Sequence, residues 1–364
     1  MSVFLERTEN LKVQMAKAGL DWVAVTTAPN LRYFSGFVPH LDERFNALLI
    51  SQSAVVWVAP ELNREQIEAH VQIPLIAWRD DEGPQGAIRQ ALQKLGRPRA
   101  LGIDGAARAD VLLRLQEVAQ PQTSQAADDI IAALRQVKSA DEIEKLALAA
   151  AQADRAMQAA IEACRPGVTE REVAWVIEAF FRQDGAEQVD FTLVASGPNG
   201  AFPHHHSSDR VLQEGDAIII DIGATLHGYK SDITRMVYLG EPNAEFLRTY
   251  EAVNQANLAA RSQVKAGVSA QAIDRAARHT LKEHGLAEFF IHRTGHGIGL
   301  DIHEPPYIME GNEVLLQSGM TFSIEPGVYR VGQFGIRIED IVAVTDQGVR
   351  VLSQTAHDLV VKSS

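Results

Sequence analysis

Two stretches of this chain repeat each other at an offset of 100 residues. The first, "RPGVTEREVAWVIEAFFRQDG", begins at Arg165, and the second, "KAGVSAQAIDRAARHTLKEHG", begins at Lys265. Each stretch predicts a turn, a helix capped by Thr or Ser, and a terminal glycine. The matched positions are Gly167 with Gly267, Val168 with Val268, Thr169 with Ser269, and Gly185 with Gly285. Shared helix-cap signals alone explain two of these matches, so the common register favours an internal duplication. Two related halves about a pseudo-two-fold axis would leave a cleft between them.

The 364-residue chain divides near residue 130 into two predicted domains, 1–130 and 131–364. In the first, "DWVAVTT", "NALLISQSAVVWVAP" and "RALGID" predict strands, and "LERTENLKVQMAKAG" and "PQGAIRQALQKLG" predict amphipathic helices. This alternation indicates an α/β domain with a mixed or parallel sheet. A long helix is expected from about residue 130 to residue 163.

Composition limits the possible partners and compartments. The net charge is -13 and no basic stripe is present, which disfavours nucleic acid as a partner. No apolar run reaches ~18 residues, so no membrane-spanning helix is expected. The start "MSVFLERTEN" has no basic and apolar leader pattern, and Cys164 is the only cysteine. These features favour the cytoplasm.

The segment "EGDAIIIDIGATLHGYKSDITRMVYLG" predicts a β-hairpin in which His227-Gly228 supplies the turn signal, with the turn centred near Leu226-His227. That register places Asp221 and Asp232 directly opposite each other, with Cβ atoms about 4.5–5.5 Å apart. An exposed hairpin with two surface aspartates is the commoner arrangement. Here Asp221 follows three isoleucines, which favours burial, and two buried like charges require a cation between them.

Two glutamates repeat this pattern near the C-terminus. Glu325 in "MTFSIEPGVY" and Glu339 in "FGIRIEDIVAV" fall within predicted β-branched strands, where glutamate is depleted. Hard carboxylate oxygens with an imidazole suit Mn²⁺, Co²⁺ or Zn²⁺. Four carboxylates and one histidine suit two metal ions about 3.5–4 Å apart, as in hydrolytic two-metal sites.

The segment "HRTGHGIGLDIHE", residues 292–304, concentrates histidines between glycines. It lacks the H-E-x-x-H pattern of helical zinc proteases. Its glycines are spaced G-x-G-x-G, and Pro305-Pro306 would stop the helix that a dinucleotide site needs.

Together these segments resemble the metallopeptidase family that includes methionine aminopeptidase, aminopeptidase P, prolidase and creatinase. The family, M24, has the "pita-bread" fold with an internal pseudo-two-fold repeat. The segments "DIGATLHGYKSDITR", "RTGHGIGLDIHE", "SIEPGVY" and "GIRIED" occur in order and resemble the Xaa-Pro branch. The first domain, including "NLRYFSGF", resembles the creatinase-type N-terminal domain. The resemblance implies an α/β domain followed by an α+β pita-bread catalytic domain.

The resemblance also implies the ligands of two divalent metal ions. Asp221 would bind one ion, and Asp232 and Glu339 would bridge both. His296 and Glu325 would complete the other ion. A bridging hydroxide would attack the peptide bond, with Glu325 as general base and proton shuttle.

Further residues match family positions around the substrate. His204 and His303 match histidines that line the site, and His303 is suited to stabilising the tetrahedral intermediate. His292 matches a residue near the proline or behind the ligands. Arg337 lies two positions before Glu339 and is expected to clamp a carboxylate or to donate to a ligand.

Substrate length is a separate question. A dipeptidase needs a cation for the carboxylate after the scissile bond, and the candidates are Arg337, Arg44 and Arg293. Some prolidases carry a basic residue where this chain has Tyr307, which weakens the dipeptidase reading. The compact length and Arg44 favour it, although Arg44 could instead pair with Asp42 or its neighbour on the surface. Xaa-Pro dipeptides are the expected substrate, and aminopeptidase P activity is the alternative. The resemblance also implies a homodimer.

Two other classes remain open. A metal-free peptide- or protein-binding protein could use the same fold, because fold does not determine function. A serine or cysteine hydrolase is disfavoured, because no G-x-S-x-G motif is present and Cys164 has no nearby base in the sequence.

Overall fold

The structure is a computed structural model that describes residues 2–363. The chain forms two compact units, Met1–Arg135 and Gln136–Ser364. The predicted boundary near residue 130 falls within the last helix of the first unit. Among the described residues, no helix has the length and apolar character needed to cross a membrane.

The first unit is an α/β domain built on one mixed sheet. Its helices are α1 Val3–Ala18, α2 Ala28–Ser35, α3 Arg64–His70, α4 Gln85–Leu95, α5 Ala109–Ala119 and α6 Asp128–Arg135. Its strands are β1 Trp22–Val25, β2 Ala47–Ser51, β3 Val55–Pro60, β4 Leu75–Trp78, β5 Ala100–Ile103 and β6 Thr123–Ala126. The strand order is β4-β3-β2-β1-β5-β6. Strand β2 runs antiparallel to both neighbours and the other pairs are parallel, which confirms the mixed sheet.

Local sequence signals account for much of this unit. Helix α1 ends where expected, at Gly19, whose φ of 68° is a left-handed conformation that glycine adopts without strain. The apolar strands β1 and β3 bury Trp22 and Trp57 almost completely. Burying side chains of this size contributes a large share of the core stabilisation.

The prediction of one long helix from residue 130 to residue 163 is wrong, because the structure contains two separate helices in this region. After α6, Val137 forms an isolated bridge with Met320, and the amide of Lys138 donates to the Gly319 carbonyl at 2.9 Å. These distant pairings hold the intervening backbone extended. A new helix, α7 Ala140–Ala163, then begins with a capping box between Ser139 and Glu142.

The second unit contains two helix pairs and two larger sheets. Its helices are α7, α8 Glu170–Gln183, α9 Ala244–Ser262 and α10 Ala270–Glu283. Its strands are β7 Gln188–Ser196, β8 Ala217–Leu226, β9 Tyr229–Lys230, β10 Ile233–Leu239, β11 Gly295–Gly297, β12 Glu304–Ile308, β13 Thr321–Ile324, β14 Gly327–Arg330, β15 Phe334–Arg337, β16 Asp340–Thr345, β17 Gly348–Val351 and β18 Val360–Lys362. The sheet orders are β18-β10-β8-β7, with β9 on β8, and β12-β11-β13-β16-β17, and β14 pairs with β15.

The predicted repeat is visible in the backbone of this unit. Helices α8 and α10 begin 100 residues apart. The amide of Gly167 donates to the Leu212 carbonyl at 3.0 Å, and the amide of Gly267 donates to the Leu316 carbonyl at 2.8 Å. Helices α7 and α8 bury their apolar faces against β8 and β10, and α9 and α10 bury theirs against β13 and β16. The pita-bread fold with its internal repeat is therefore confirmed.

Candidate metal centre

The β8–β10 hairpin presents Asp221 and Asp232, but in a different register from the predicted one. Its turn is His227-Gly228, and both residues have positive φ, 52° and 79°. This turn lies one position later than predicted and shifts the pairing by two residues, so Asp221 lies opposite Thr234. The prediction of directly opposed aspartates is wrong. Asp232 lies two residues before Thr234, so both aspartates still fall on the same face of the hairpin.

Glu325 and Glu339 lie at the ends of strands and not within them. The prediction placed both within strands, but Glu325 directly follows β13 and Glu339 directly precedes β16. These two strands pair with Ile324 opposite Asp340, which brings the two glutamates to the same edge. Strand ends leave the backbone free to direct each carboxylate towards the hairpin aspartates.

The predicted ligands converge with His296 at one buried point. One ligand atom each from Asp232, His296 and Glu339 lies within 4.8 Å of the others, and all three residues are buried. The Nε2 atom of His296 is 3.3 Å from Glu325 Oε1 and 3.7 Å from Asp232 Oδ2. Burial and, to a smaller extent, the charge of Asp221 raise the pKa of Glu325 and Glu339, so Asp221 lies within electrostatic reach of both.

The pKa values of the cluster show that its carboxylates repel one another in the protein alone. Burial and then the charge of Glu339 raise the pKa of Asp232 well above its ordinary value. Burial and then Glu325 do the same to the pKa of Glu339. Burial raises the pKa of Glu325 to about 7. A bound cation would remove this penalty, because it favours the ionised form of each ligand.

Two buried oxygens make the same point geometrically. Asp221 Oδ1 and Glu339 Oε1 are inaccessible to solvent and have no hydrogen-bond partner among the described residues. Buried polar atoms in native proteins are normally satisfied, and an unsatisfied one indicates a missing ion or water. Hard carboxylate oxygens are also the donors that Mn²⁺ accepts. The donor set therefore fits divalent metal ions.

The tautomer and the neutral charge of His296 suit a metal ligand. Its Nδ1 lies 3.2 Å from the Gly297 carbonyl, which can only accept, so the ring proton resides on Nδ1. The Nε2 lone pair then faces Asp232 and Glu325. Burial and then the charge of His303 lower the pKa of His296 to about 3, which keeps the ring neutral as metal binding requires.

Arg337 connects ligands from both halves. It donates from Nη2 to Asp221 at 2.5 Å, from Nε to Thr234 at 3.1 Å and from Nη1 to Tyr329 at 2.9 Å. Thr234 in turn donates to Glu339 at 2.7 Å. With Nε, Nη1 and Nη2 each bonded inside the protein, Arg337 acts as a donor to the ligand shell. Its contacts favour this role over a clamp for substrate.

His292 is held by the same network. Its Nδ1 lies 2.7 Å from the Arg293 carbonyl, so Nδ1 carries the proton and Nε2 accepts from the Tyr329 hydroxyl at 2.9 Å. The Tyr329 oxygen accepts from Arg337 at the same time. Burial lowers the pKa of His292 to about 4. His292 is therefore a neutral ring with both nitrogens bonded, located behind the ligands.

His204 and His303 are exposed, in contrast to His292 and His296. The His303 ring is edge-on to His296, with 4.0 Å between ring centroids. Burial, Arg293 and His204 lower the pKa of His303, and His204 also lowers that of His292. The three predicted substrate-site histidines therefore lie close enough for the charge of His204 to act on both His292 and His303.

The three candidate cations differ in their partners. Arg44 donates to Asp42 at 2.6 Å and to both carboxylate oxygens of Asp80 at 2.9 Å. Arg293 stacks on the Tyr307 ring at 4.4 Å, and no described carboxylate lies within ion-pair distance of it. Its charge acts on Glu325, His296 and His303.

Three residues of the site were not identified from the sequence. Tyr329 and Thr234 complete the Arg337 network, and Ser323 donates to Glu325 at 3.1 Å. Thr234 and Ser323 are hydroxyls inside apolar strands, a pattern that could have indicated buried hydrogen bonds. Tyr329 gave no comparable signal, because an aromatic residue in a strand is ordinary.

A buried carboxylate cluster with one neutral imidazole and exposed histidines beside it defines a metal-dependent peptidase site. Residues 144–346 match the family model of metallopeptidase family M24, and residues 7–137 match the creatinase/prolidase N-terminal domain. The chain belongs to metallopeptidase family M24.

Its relatives are similar over nearly their whole length. The chain is 39% identical to a probable dipeptidase, PepE, of Mycobacterium bovis, over 99% of this chain and 96% of that protein. It is 35% identical to an Xaa-Pro dipeptidase of Pyrococcus furiosus, over 97% and 99% of the two chains. The crystal structure of a prolidase from Thermococcus sibiricus superposes with a TM-score of 0.94, covering all of both chains at 35% identity.

Proposed function

We propose that this chain hydrolyses the Xaa-Pro bond of dipeptides with two divalent metal ions. The observation that supports it most directly is the convergence of four carboxylates and His296 at one buried point. The Xaa-Pro dipeptidase and prolidase relatives support the choice of substrate.

Asp221, Asp232, His296, Glu325 and Glu339 would hold the metal ions, with Mn²⁺ or Co²⁺ favoured and Zn²⁺ as the third candidate. When bound, such ions lower the pKa of coordinated water and polarise the scissile carbonyl. The remaining chemistry is carried by the protein side chains.

Glu325 is suited to accept and return a proton. Its Oε1 lies 3.3 Å from His296 Nε2, so this carboxylate reaches the ligand cluster where a coordinated water would be activated. Ser323 keeps its Oε1 oriented by a hydrogen bond of 3.1 Å. In this role Glu325 takes a proton from the attacking water and delivers it to the proline nitrogen as that bond breaks.

His303 and His204 would bind the reacting groups. His303 lies against His296 and is exposed, so its free N–H can reach the carbonyl oxygen as negative charge develops there. His204 shares the same space and would orient the substrate. His292 would be kept in place by Tyr329, which also accepts a hydrogen bond from Arg337.

Arg293 is the best-placed cation for the substrate carboxylate. Arg337 is bonded to ligands, and Arg44 is paired with Asp42 and Asp80. Arg293 keeps its guanidinium free of carboxylates and lies over the Tyr307 ring, 4.4 Å from its centroid. Tyr307 occupies the position where some prolidases carry a basic residue, so the cation here would come from the neighbouring segment.

The test compares Met-Pro with the same peptide extended by one residue. Loss of a charge-assisted hydrogen bond of about 1.5–3 kcal/mol predicts that Arg293→Gln lowers dipeptide kcat/KM roughly tenfold to a hundredfold. Tripeptide turnover should change little. Arg44→Gln is the matched comparison. If this variant, and not Arg293→Gln, loses the preference for the dipeptide over the tripeptide, then Arg44 binds the substrate carboxylate. Wild-type turnover of the tripeptide equal to that of the dipeptide would favour aminopeptidase P activity.

Metal analysis distinguishes this proposal from its alternatives. A protein that binds no divalent metal would be a metal-free binding protein on the same fold. A thiol mechanism has no support, because burial raises the pKa of Cys164 to about 12 and leaves no thiolate at neutral pH.

We also propose a homodimer located in the cytoplasm. The similarity to the Xaa-Pro branch supports the dimer, and a lone buried cysteine supports a reducing compartment. Light scattering at micromolar concentration tests the dimer, and a monomeric mass would contradict it.

A further inference from the structure

One carboxylate organises the loop that carries His204. Glu170 is the first residue of α8 and is fully buried. Its Oε1 accepts hydrogen bonds from Ser196 N and Ser196 Oγ, both at 2.7 Å, and from Asn199 Nδ2 at 3.0 Å. Its Oε2 accepts from Ser208 N at 3.0 Å, Ser208 Oγ at 2.6 Å and His205 Nε2 at 2.8 Å. The donors lie at both ends of segment 196–208 and beside His204.

Glu170 can hold these donors because it is an anion. Burial opposes ionisation, but the hydrogen bonds from Ser208, Ser196, His205 and Asn199 outweigh it and lower the pKa of Glu170 to about 2. The first turn of α8 also favours a negative charge. Removing the charge would leave several buried N–H and O–H groups without an acceptor.

The second unit, here called the catalytic unit, consists of two repeated halves that contain α8 and α10. In the second half, a buried carboxylate likewise holds a histidine-bearing segment. Asp274 of α10 is fully buried and accepts from Thr294 N at 3.1 Å and Thr294 Oγ1 at 2.7 Å. Thr294 lies between His292 and His296. Each half therefore uses a buried helix carboxylate to fix the segment that carries its histidines.

We infer that Glu170 is a positioning residue for hydrolysis, which acts through segment 196–208 on the imidazole of His204. The inference rests on the proposed function, in which His204 contacts the substrate. Glu170 is a positioning residue and not a catalytic one, because its side-chain hydrogen bonds are all with the segment that it anchors. His205 then acts as a hydrogen-bond donor to Glu170, and this bond helps to position the adjacent His204.

A double-mutant cycle tests the inference in the Mn²⁺-loaded enzyme with Met-Pro. Glu170→Gln keeps the side-chain volume but turns an N–H group towards donors. Because small misplacements of a substrate-binding group are costly, kcat/KM should fall roughly tenfold or more. In the His204→Ala background the same change should cost less than about twofold, since coupled residues are not additive. Additive effects would overturn the inference.

Two control variants isolate the effect. Glu178→Gln makes the same chemical change at a partly exposed position of α8, where Glu178 pairs only with Arg182 of the same helix, and should leave kcat/KM unchanged. Asp274→Asn acts on the other segment, so its effect should add to that of His204→Ala. Metal content of each variant excludes loss of ions as the cause.

A readout without catalysis separates this inference from the proposed function. Amide hydrogen exchange across residues 196–208 should accelerate in Glu170→Gln, and the ring NMR signals of His204 should shift. Neither should change in Glu178→Gln. Unchanged exchange and unchanged His204 signals in Glu170→Gln would overturn the inference even if the enzyme proved inactive on Xaa-Pro peptides. If Glu170→Gln does not fold, His205→Ala removes one donor and should show the same changes in smaller size.

Discussion

The two halves of the catalytic unit share a scaffold and differ in chemistry. Both have a helix that starts after a turn glycine, Gly167 or Gly267, and both place two carboxylates within a strand or directly beside one. The first half supplies Asp221 and Asp232, and the second supplies longer glutamates and the only imidazole ligand candidate, His296, within the predicted set. Each half therefore carries an acidic pair, and within the predicted set only the second half adds a histidine.

The difference also appears in how the ligands are supported. Arg337 of the second half donates to Asp221 of the first, and Thr234 of the first half donates to Glu339 of the second. Each half therefore orients a ligand that the other half supplies. Such outer contacts fix the direction of a ligand and tune the metal. Neither half contains a complete site.

The largest expected effect compares two aspartates of the first half. If Asp232 bridges both ions and Asp221 binds one, Asp232→Asn should lose both metals and Asp221→Asn only one. Since even outer contacts cost about 10–100-fold, losing a bridging ligand should lower kcat/KM at least a hundredfold. Elemental analysis at saturating Mn²⁺ counts the ions. One metal in the wild type, or full turnover by Asp232→Asn, would contradict the two-metal site.

The next effect compares one histidine from each half. His303→Ala removes a donor to the developing oxyanion, and by analogy with other such donors the barrier should rise by about 2.7–4 kcal/mol. His204→Ala should raise KM more than it lowers kcat, because it orients the ground state as well. Steady-state kinetics with metal analysis separates these outcomes. A metal-depleted His303→Ala would make His303 a ligand instead.

A smaller effect concerns the carboxylates of both halves in the metal-free protein. Their folded pKa values are raised, so they stabilise the fold when protonated, and this stability is lost as pH rises through those values. His292 and His296 have lowered pKa values, so their contribution to stability increases with pH. This increase ends at the pKa of histidine in the unfolded chain, near ~6.5. Between about pH 6.5 and 8.5, metal-free stability should therefore fall by about 1 kcal/mol or more.

Urea unfolding at the two pH values measures this change. Mn²⁺-loaded protein is the control, and there the decline should vanish, because bound ions keep the ligands ionised in the folded state. A metal-free protein whose stability rises with pH over this range would show that the carboxylates do not repel one another.

The carboxylate cluster could be predicted from the sequence because its signals are local, whereas the five-residue ligand set is what the family resemblance implies. Carboxylates beside isoleucines in strands are unusual wherever those strands pack. The repeated cap pattern likewise predicted where helices α8 and α10 begin. The hairpin register was missed because it depends on His227 adopting a positive φ, which few non-glycine residues do. The link from Arg337 to Tyr329 was missed because its geometry arises from side chains brought together by folding.

The smallest effect compares the caps that revealed the repeat. Thr169 accepts from the Glu172 amide at 3.1 Å in a full capping box, whereas Ser269 makes no side-chain cap bond, and the third residue of α10 is Ala272. Thr169→Ala should therefore lower the free energy of unfolding by about 1 kcal/mol, and Ser269→Ala by only a few tenths at most, about 0.3 kcal/mol. Urea unfolding of the metal-loaded variants measures both, with kcat/KM expected to stay near that of the wild type. Equal losses would mean that Ser269 caps α10 in solution, and that the two halves have diverged less at their helix starts than at their metal ligands.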